Sequence, residues 1–196
     1  MPPITPPGRR LAAMSEAMLL IVAIVACGGD PAATPPIRPG TPGDPRELIL
    51  LAKDYAFIPA IVDLVPGEAV VLQIVNGGLV VHEVVIGGVE VQDAWEEAES
   101  AVAGAPPGAT PEVSVAPALA GLRVVVQSGE RVDLGWTVPE DAATEAGGWQ
   151  VGCHIPGHWA EGMVVPVRFV GVDGRPIPTP APAATPAATP TPAPSG

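Results

Sequence analysis

Two of the chain's three histidines and one of its two cysteines fall in a single stretch, Cys153-His154-Ile155-Pro156-Gly157-His158-Trp159-Ala160-Glu161-Gly162-Met163. A thiol, two imidazoles and a thioether gathered so closely are the ligands of a soft or borderline metal. Pro156-Gly157 calls for a tight turn, which brings His158 back toward the Cys153 sulfur, and Glu161-Gly162 permits a second bend ahead of Met163. One loop can then offer three donors from one side. A further imidazole has to come from elsewhere, and His82 is the only histidine outside that loop. Taken alone, His82 reads as a core histidine and Met163 as core packing. Taken together they read as a metal site, because a His₂Cys set with a distant thioether describes a blue-copper centre. Zinc competes for Cys/His sets, but structural zinc takes four strong ligands and catalytic zinc keeps a water. The general base that such a water needs has one neighbouring candidate, Glu161. Copper is the stronger reading.

The elements that must hold these donors are strands. Apolar, β-branched runs follow one another between turn signals: Glu47–Ala52, Tyr55–Ile58, Ala60–Val65, Ala69–Val75, Leu79–Ile86, Leu122–Val126, Arg131–Val138, Trp149–Cys153 and Val164–Val170. Pro66-Gly67, Asn76-Gly77-Gly78 and Gly87-Gly88 punctuate them. About eight short strands at regular spacing predict an all-β sandwich or barrel. Cys153 would end one strand, Met163 would start the last, and His82 would sit near a strand mouth. Val91–Val102 breaks the rhythm, with Val91, Trp95, Ala98 and Val102 at helical spacing among Asp93, Glu96, Glu97 and Glu99. It reads as a short acidic helical insertion whose charged face is solvated, followed by a Pro/Ala-rich connection from Gly104 to Ala120.

The ends of the chain are different in kind. Arg9 and Arg10 precede an apolar run from Met18 to Ala26, the layout of a secretory signal. That run is well short of the roughly 20 residues needed to span a bilayer. Ile24-Val25-Ala26-Cys27 is similar to a bacterial lipobox, which makes Cys27 the expected lipidation site and residues 1–26 a lipoprotein signal peptide. Residues 27–45 read as a Pro-rich tether, able to reach on the order of 55 Å if extended as polyproline. Residues 46–172 form the sandwich domain, and residues 173–196, rich in Pro, Ala and Thr, read as a disordered tail. The formal charge of −12 with nine Lys and Arg leaves no electrostatic footprint for nucleic acid.

At the donor residues the chain resembles the cupredoxins, small blue-copper electron carriers related to plastocyanin, amicyanin and azurin. The matching pattern is Asn-x₅-His at Asn76–His82 and Cys-x₄-His-x₄-Met at Cys153–Met163, supported by Asp54–Pro59 and Val65–Glu68 as opening strands. The resemblance implies a Greek-key β-sandwich holding one copper, with His82, Cys153 and His158 equatorial and Met163 weakly axial. It implies that Asn76 ties the two ligand loops together. It also implies that His158 presents an exposed edge for electron entry, with Trp159, Pro156 and Leu79 on an apolar rim. Glu83 departs from the pattern, standing where many members have asparagine; strand alternation would point its carboxylate away from the metal. His154 beside the thiolate invites comparison with multicopper oxidases, but three histidines are too few for a three-copper cluster. It reads as a surface histidine, at best a supporting group or part of an electron route. The function implied is single-electron transfer between redox protein partners by a monomer, not an enzyme, lipid-anchored to the outer face of a cell membrane. The alternative is a copper-binding or copper-delivery protein whose metal is cargo.

Overall fold

A computed structural model describes residues 36–104 and 113–182. Cys27, the signal segment and residues 183–196 lie outside the described residues.

Nine strands and one α-helix make up the domain. The strands are β1 (Arg46–Lys53), β2 (Ala56–Ile58), β3 (Val62–Leu64), β4 (Ala69–Asn76), β5 (His82–Gly88), β6 (Leu122–Val126), β7 (Arg131–Thr137), β8 (Trp149–Gly152) and β9 (Val164–Phe169). They form two sheets, one in the order β2-β1-β4-β7 and the other β3-β9-β8-β5-β6. Successive strands pass repeatedly from one sheet to the other, in the manner of a Greek key. Most neighbours are antiparallel, but β1 runs parallel to β4 and β3 parallel to β9. The fold is a two-sheet β-sandwich, as expected.

Period-two alternation builds the core. Leu48, Leu50 and Ala52 of β1, Leu72 and Ile74 of β4, and Val165, Val167 and Phe169 of β9 belong to one apolar cluster. Strand β5 is different, because all seven of its residues are buried. One face, with Val84 and Ile86, joins the core; the other lies under helix α1 (Val89–Val102), which packs on β5 and β8.

Several boundaries differ from expectation. Strand β5 starts at His82 and not Leu79, because residues 78–80 bend and leave Leu79 87% exposed. Gly87-Gly88 is no turn: β5 continues through both glycines and Gly88 caps α1. The helix solvates only part of its polar surface: Glu90, Asp93 and Glu97 are exposed, but not all of its polar residues are. Its buried residues are Gln92, Trp95 and Glu99, since the sheet surface beneath offers polar partners. Part of the tether also docks, the Gly40 carbonyl accepting from the Ala69 N–H at 3.0 Å. The first residues of the expected tail do likewise, with Ile177 N–H donating to Phe169 O at 2.8 Å and Gly147 N–H to Pro180 O at 3.1 Å. Among the described residues, no helix is long and apolar enough to cross a membrane.

Candidate metal centre

Cys153 follows the end of β8, and its N–H donates to Met163 O at 3.1 Å, while Met163 N–H donates to His158 O at 3.1 Å. These bonds close the excursion from Cys153 to Met163 into a compact loop. Gly157 and Gly162 make it possible, with φ of 92° and 90°, a region that residues with side chains rarely enter. The loop therefore delivers His158 and Met163 beside Cys153, as the spacing predicts. The fourth residue, His82, arrives at the start of β5 from the bend after β4.

The donor atoms of His82, Cys153 and His158 all lie within 4.8 Å of one another, and all three residues are buried. His158 Nδ1 sits 3.3 Å from Cys153 Sγ and 3.3 Å from His82 Nδ1. The Glu83 N–H points at the sulfur from 3.4 Å, a donor placed to favour a thiolate. Burial nevertheless dominates, pushing the Cys153 thiol up to about 12. Burial, and then the neighbouring His82, push the His158 imidazole below its usual range. Two imidazoles and one buried thiol, their donor atoms gathered together, suit a cation that binds nitrogen and sulfur. Met163 is fully buried in the floor of the same loop. The residues fit one copper ion, which His82, Cys153 and His158 would hold.

His82 has a second partner that the sequence reading missed. Its Nε2 lies 2.7 Å from Asp54 Oδ1, and the other carboxylate oxygen accepts the Leu79 N–H at 2.8 Å. That Leu79 N–H is the largest reason why the Asp54 carboxyl lies below its ordinary range, with His82 adding to it. Gly78 lets the pair meet, since a Cβ there would stand 2.2 Å from Asp54 Oδ1 and 2.9 Å from His82 Nε2. No pattern along the chain joins residue 54 to residue 82; only the β1–β2 turn reaching over the site does.

Other expectations change. His158 is only 8% exposed and lies under the Tyr55 ring, 4.7 Å away between centroids, so its edge is not bare. Leu79 and Pro156 are exposed and Trp159 half-buried, as an apolar rim requires. Glu161 is exposed on the turn. The Asn76 amide donates to Val80 O at 2.8 Å and Val126 O at 2.9 Å, and its oxygen accepts the Gly78 N–H at 2.8 Å. It therefore fixes the His82 bend to β6, and does not bind the Cys153 loop.

His154 is buried, not at the surface. Residues alternate across a strand, so His154 turns away from the donors toward α1. Its Nε2 lies 2.8 Å from Gln92 Oε1, its Nδ1 2.9 Å from Glu96 Oε2, and its ring stacks on Trp159 at 4.7 Å. The Gln92 amide nitrogen is committed to the carbonyls of Val85, Gly87 and Gln150, which turns its oxygen to the ring. Glu83 points the same way. Its carboxylate takes Arg123 Nε at 2.7 Å and the His154 N–H at 2.9 Å, while Arg123 also reaches Glu99 at 2.9 Å. Burial, followed by the Glu83 charge, pushes Glu99 upward. Helix α1 thus covers a polar layer directly behind the donor loop.

No family model matches the chain, and neither does any curated protein. The solved structures similar to it include auracyanin B, with 22% identity and a TM-score of 0.47 over 71% of this chain and 97% of that one. Auracyanin A, a "blue" copper protein from the green thermophilic photosynthetic bacterium Chloroflexus aurantiacus, is 20% identical with a TM-score of 0.44, covering 64% of this chain and 99% of its own. An azurin from the methylotroph Methylomonas sp. strain J is 15% identical with a TM-score of 0.43, covering 64% and 98%. At such scores the weight rests on this chain's own strand order and donor set.

Proposed function

We propose that this protein is a blue-copper electron carrier that works outside the cytoplasm, anchored to a membrane through lipid on Cys27. The observation that carries the reading is the buried His82–Cys153–His158 triad, its donor atoms within 4.8 Å of one another. Bound copper supplies a one-electron Cu(II)/Cu(I) couple, and the thiolate and imidazoles suit both oxidation states. The chain's part is to hold three donors still. Cys153 and His158 are pinned by the loop's own backbone bonds, and His82 by the Asn76 bracket, so little has to move when one electron is gained or lost. Met163, buried in the same loop, is the proposed weak axial ligand. The electron route runs by the Tyr55–His158 contact toward the exposed Leu79 and Pro156, where a redox partner would dock.

The test is repeated redox cycling of the copper-loaded protein beside a strong Cu(I) chelator. A carrier keeps one copper per chain through many cycles and exchanges electrons with a small redox dye. Rapid loss of Cu(I) to the chelator would instead make the metal cargo, as a copper-delivery protein requires.

A further inference from the structure

The two imidazoles of the centre are backed differently. Among the described residues, His158 makes its side-chain hydrogen-bond contacts through Nδ1 alone, and its ring lies against the uncharged face of Tyr55. His82 directs Nδ1 to the donor cluster and Nε2 to a carboxylate, 2.7 Å from Asp54 Oδ1. A carboxylate is only an acceptor, so the proton sits on His82 Nε2 and the Nδ1 lone pair is left for a metal. Oriented this way, an imidazole bonded to an anion is a stronger donor than one bonded to a neutral group. A stronger donor and a nearby negative charge both favour Cu(II) over Cu(I).

The pairing is built, not incidental. The Leu79 N–H holds the second carboxylate oxygen at 2.8 Å, so Asp54 cannot swing away without losing a bond. The Ser128 hydroxyl anchors the Gly78 carbonyl at 2.7 Å, which steadies the backbone that passes between the partners. A side chain at Gly78 would part them.

We propose that Asp54 is a positioning residue for the copper centre: through His82 it fixes the ligand tautomer and lowers the reduction potential. The proposal rests on the copper reading above and deepens it.

Two substitutions test its effect on the potential. Asp54→Asn keeps size and an acceptor oxygen but removes the charge. Gly78→Ala keeps the charge but wedges the carboxylate from the ring. Each should raise the preference for Cu(I) over Cu(II) about tenfold, which for one electron is about 59 mV, while the parent's visible absorption is retained. Nitrogen NMR of the metal-free proteins supplies a readout independent of copper. The parent should show His82 protonated on Nε2, and Asp54→Ala should release the ring to a mixture of tautomers. Potentials that stay put or fall in both variants would overturn the proposal, as would a tautomer mixture already present in the parent. If a variant takes up no copper, the NMR result alone decides. A parent that forms no coloured copper complex would defeat the copper reading instead, and the tautomer measurement would still stand.

Discussion

Copper uptake by this protein should cost a proton, and the structure says how firmly that proton is held. Burial pushes the metal-free Cys153 thiol up to about 12. At pH 7 that is five units short, so deprotonation is uphill by about 7 kcal/mol at 1.36 kcal/mol per unit. The metal–sulfur bond has to offset this in full. His158 is pushed below its usual range, so between pH 8 and pH 10 the thiol dominates the change. The apparent affinity for Cu(II) should then rise tenfold per pH unit, about a hundredfold over the interval. A thiol with an ordinary pKa of about 8.5 would give only about a fourfold rise, because it is already about three-quarters thiolate at pH 9 and nearly all thiolate by pH 10. Competition against a chelator of known protonation behaviour measures the slope. A curve that flattens by pH 9, or rapid alkylation of metal-free Cys153 at neutral pH, would refute the reasoning.

The same shift bears on folding. The folded pKa lies above the unfolded one, so the metal-free domain keeps this contribution below about pH 8.5 and loses it as pH climbs toward 12, up to about 5 kcal/mol in all; Cys153→Ala should remove the alkaline loss in urea titrations. Arg123→Met should destabilise the fold by about 3 kcal/mol or more, because it strands the buried carboxylate of Glu83 facing Glu99. A loss under about 1 kcal/mol in denaturant unfolding would mean that the layer under α1 is not held by charge. His158→Gly should open the centre so that added imidazole is needed to restore the visible absorption of the copper form, whereas His154→Ala should leave that absorption in place.

How much of this was legible along the chain depended on range. The strands announced themselves because alternation and turn residues are local, and the loop donors because Cys153, His158 and Met163 lie within one excursion. His82 was found by elimination among three histidines. What could not be read was which face of a segment meets which partner. Glu96, Glu99 and Gln92 look like a solvated helix face until β5 and β6 place Glu83 and Arg123 beneath them. Charged residues inside the valine-rich runs of β5 and β6 were the available signal, since a strand buried on both faces keeps a charge only beside a partner. His154 was misplaced for the same reason, as the helix that buries it lies some sixty residues upstream. Asp54 gave no signal at all, because a carboxylate at a strand end is ordinarily solvated, and only the folded β1–β2 turn sets it against His82.

The central claim is that His82, Cys153 and His158 hold copper through a thiolate. The visible spectrum of the protein loaded with one equivalent of Cu(II), recorded beside Cys153→Ser, tests it most directly. An intense thiolate-to-copper band in the parent that vanishes in Cys153→Ser, at one copper per chain, is the predicted result. A parent that binds copper without that band, or a band that survives the loss of the sulfur, would contradict the account.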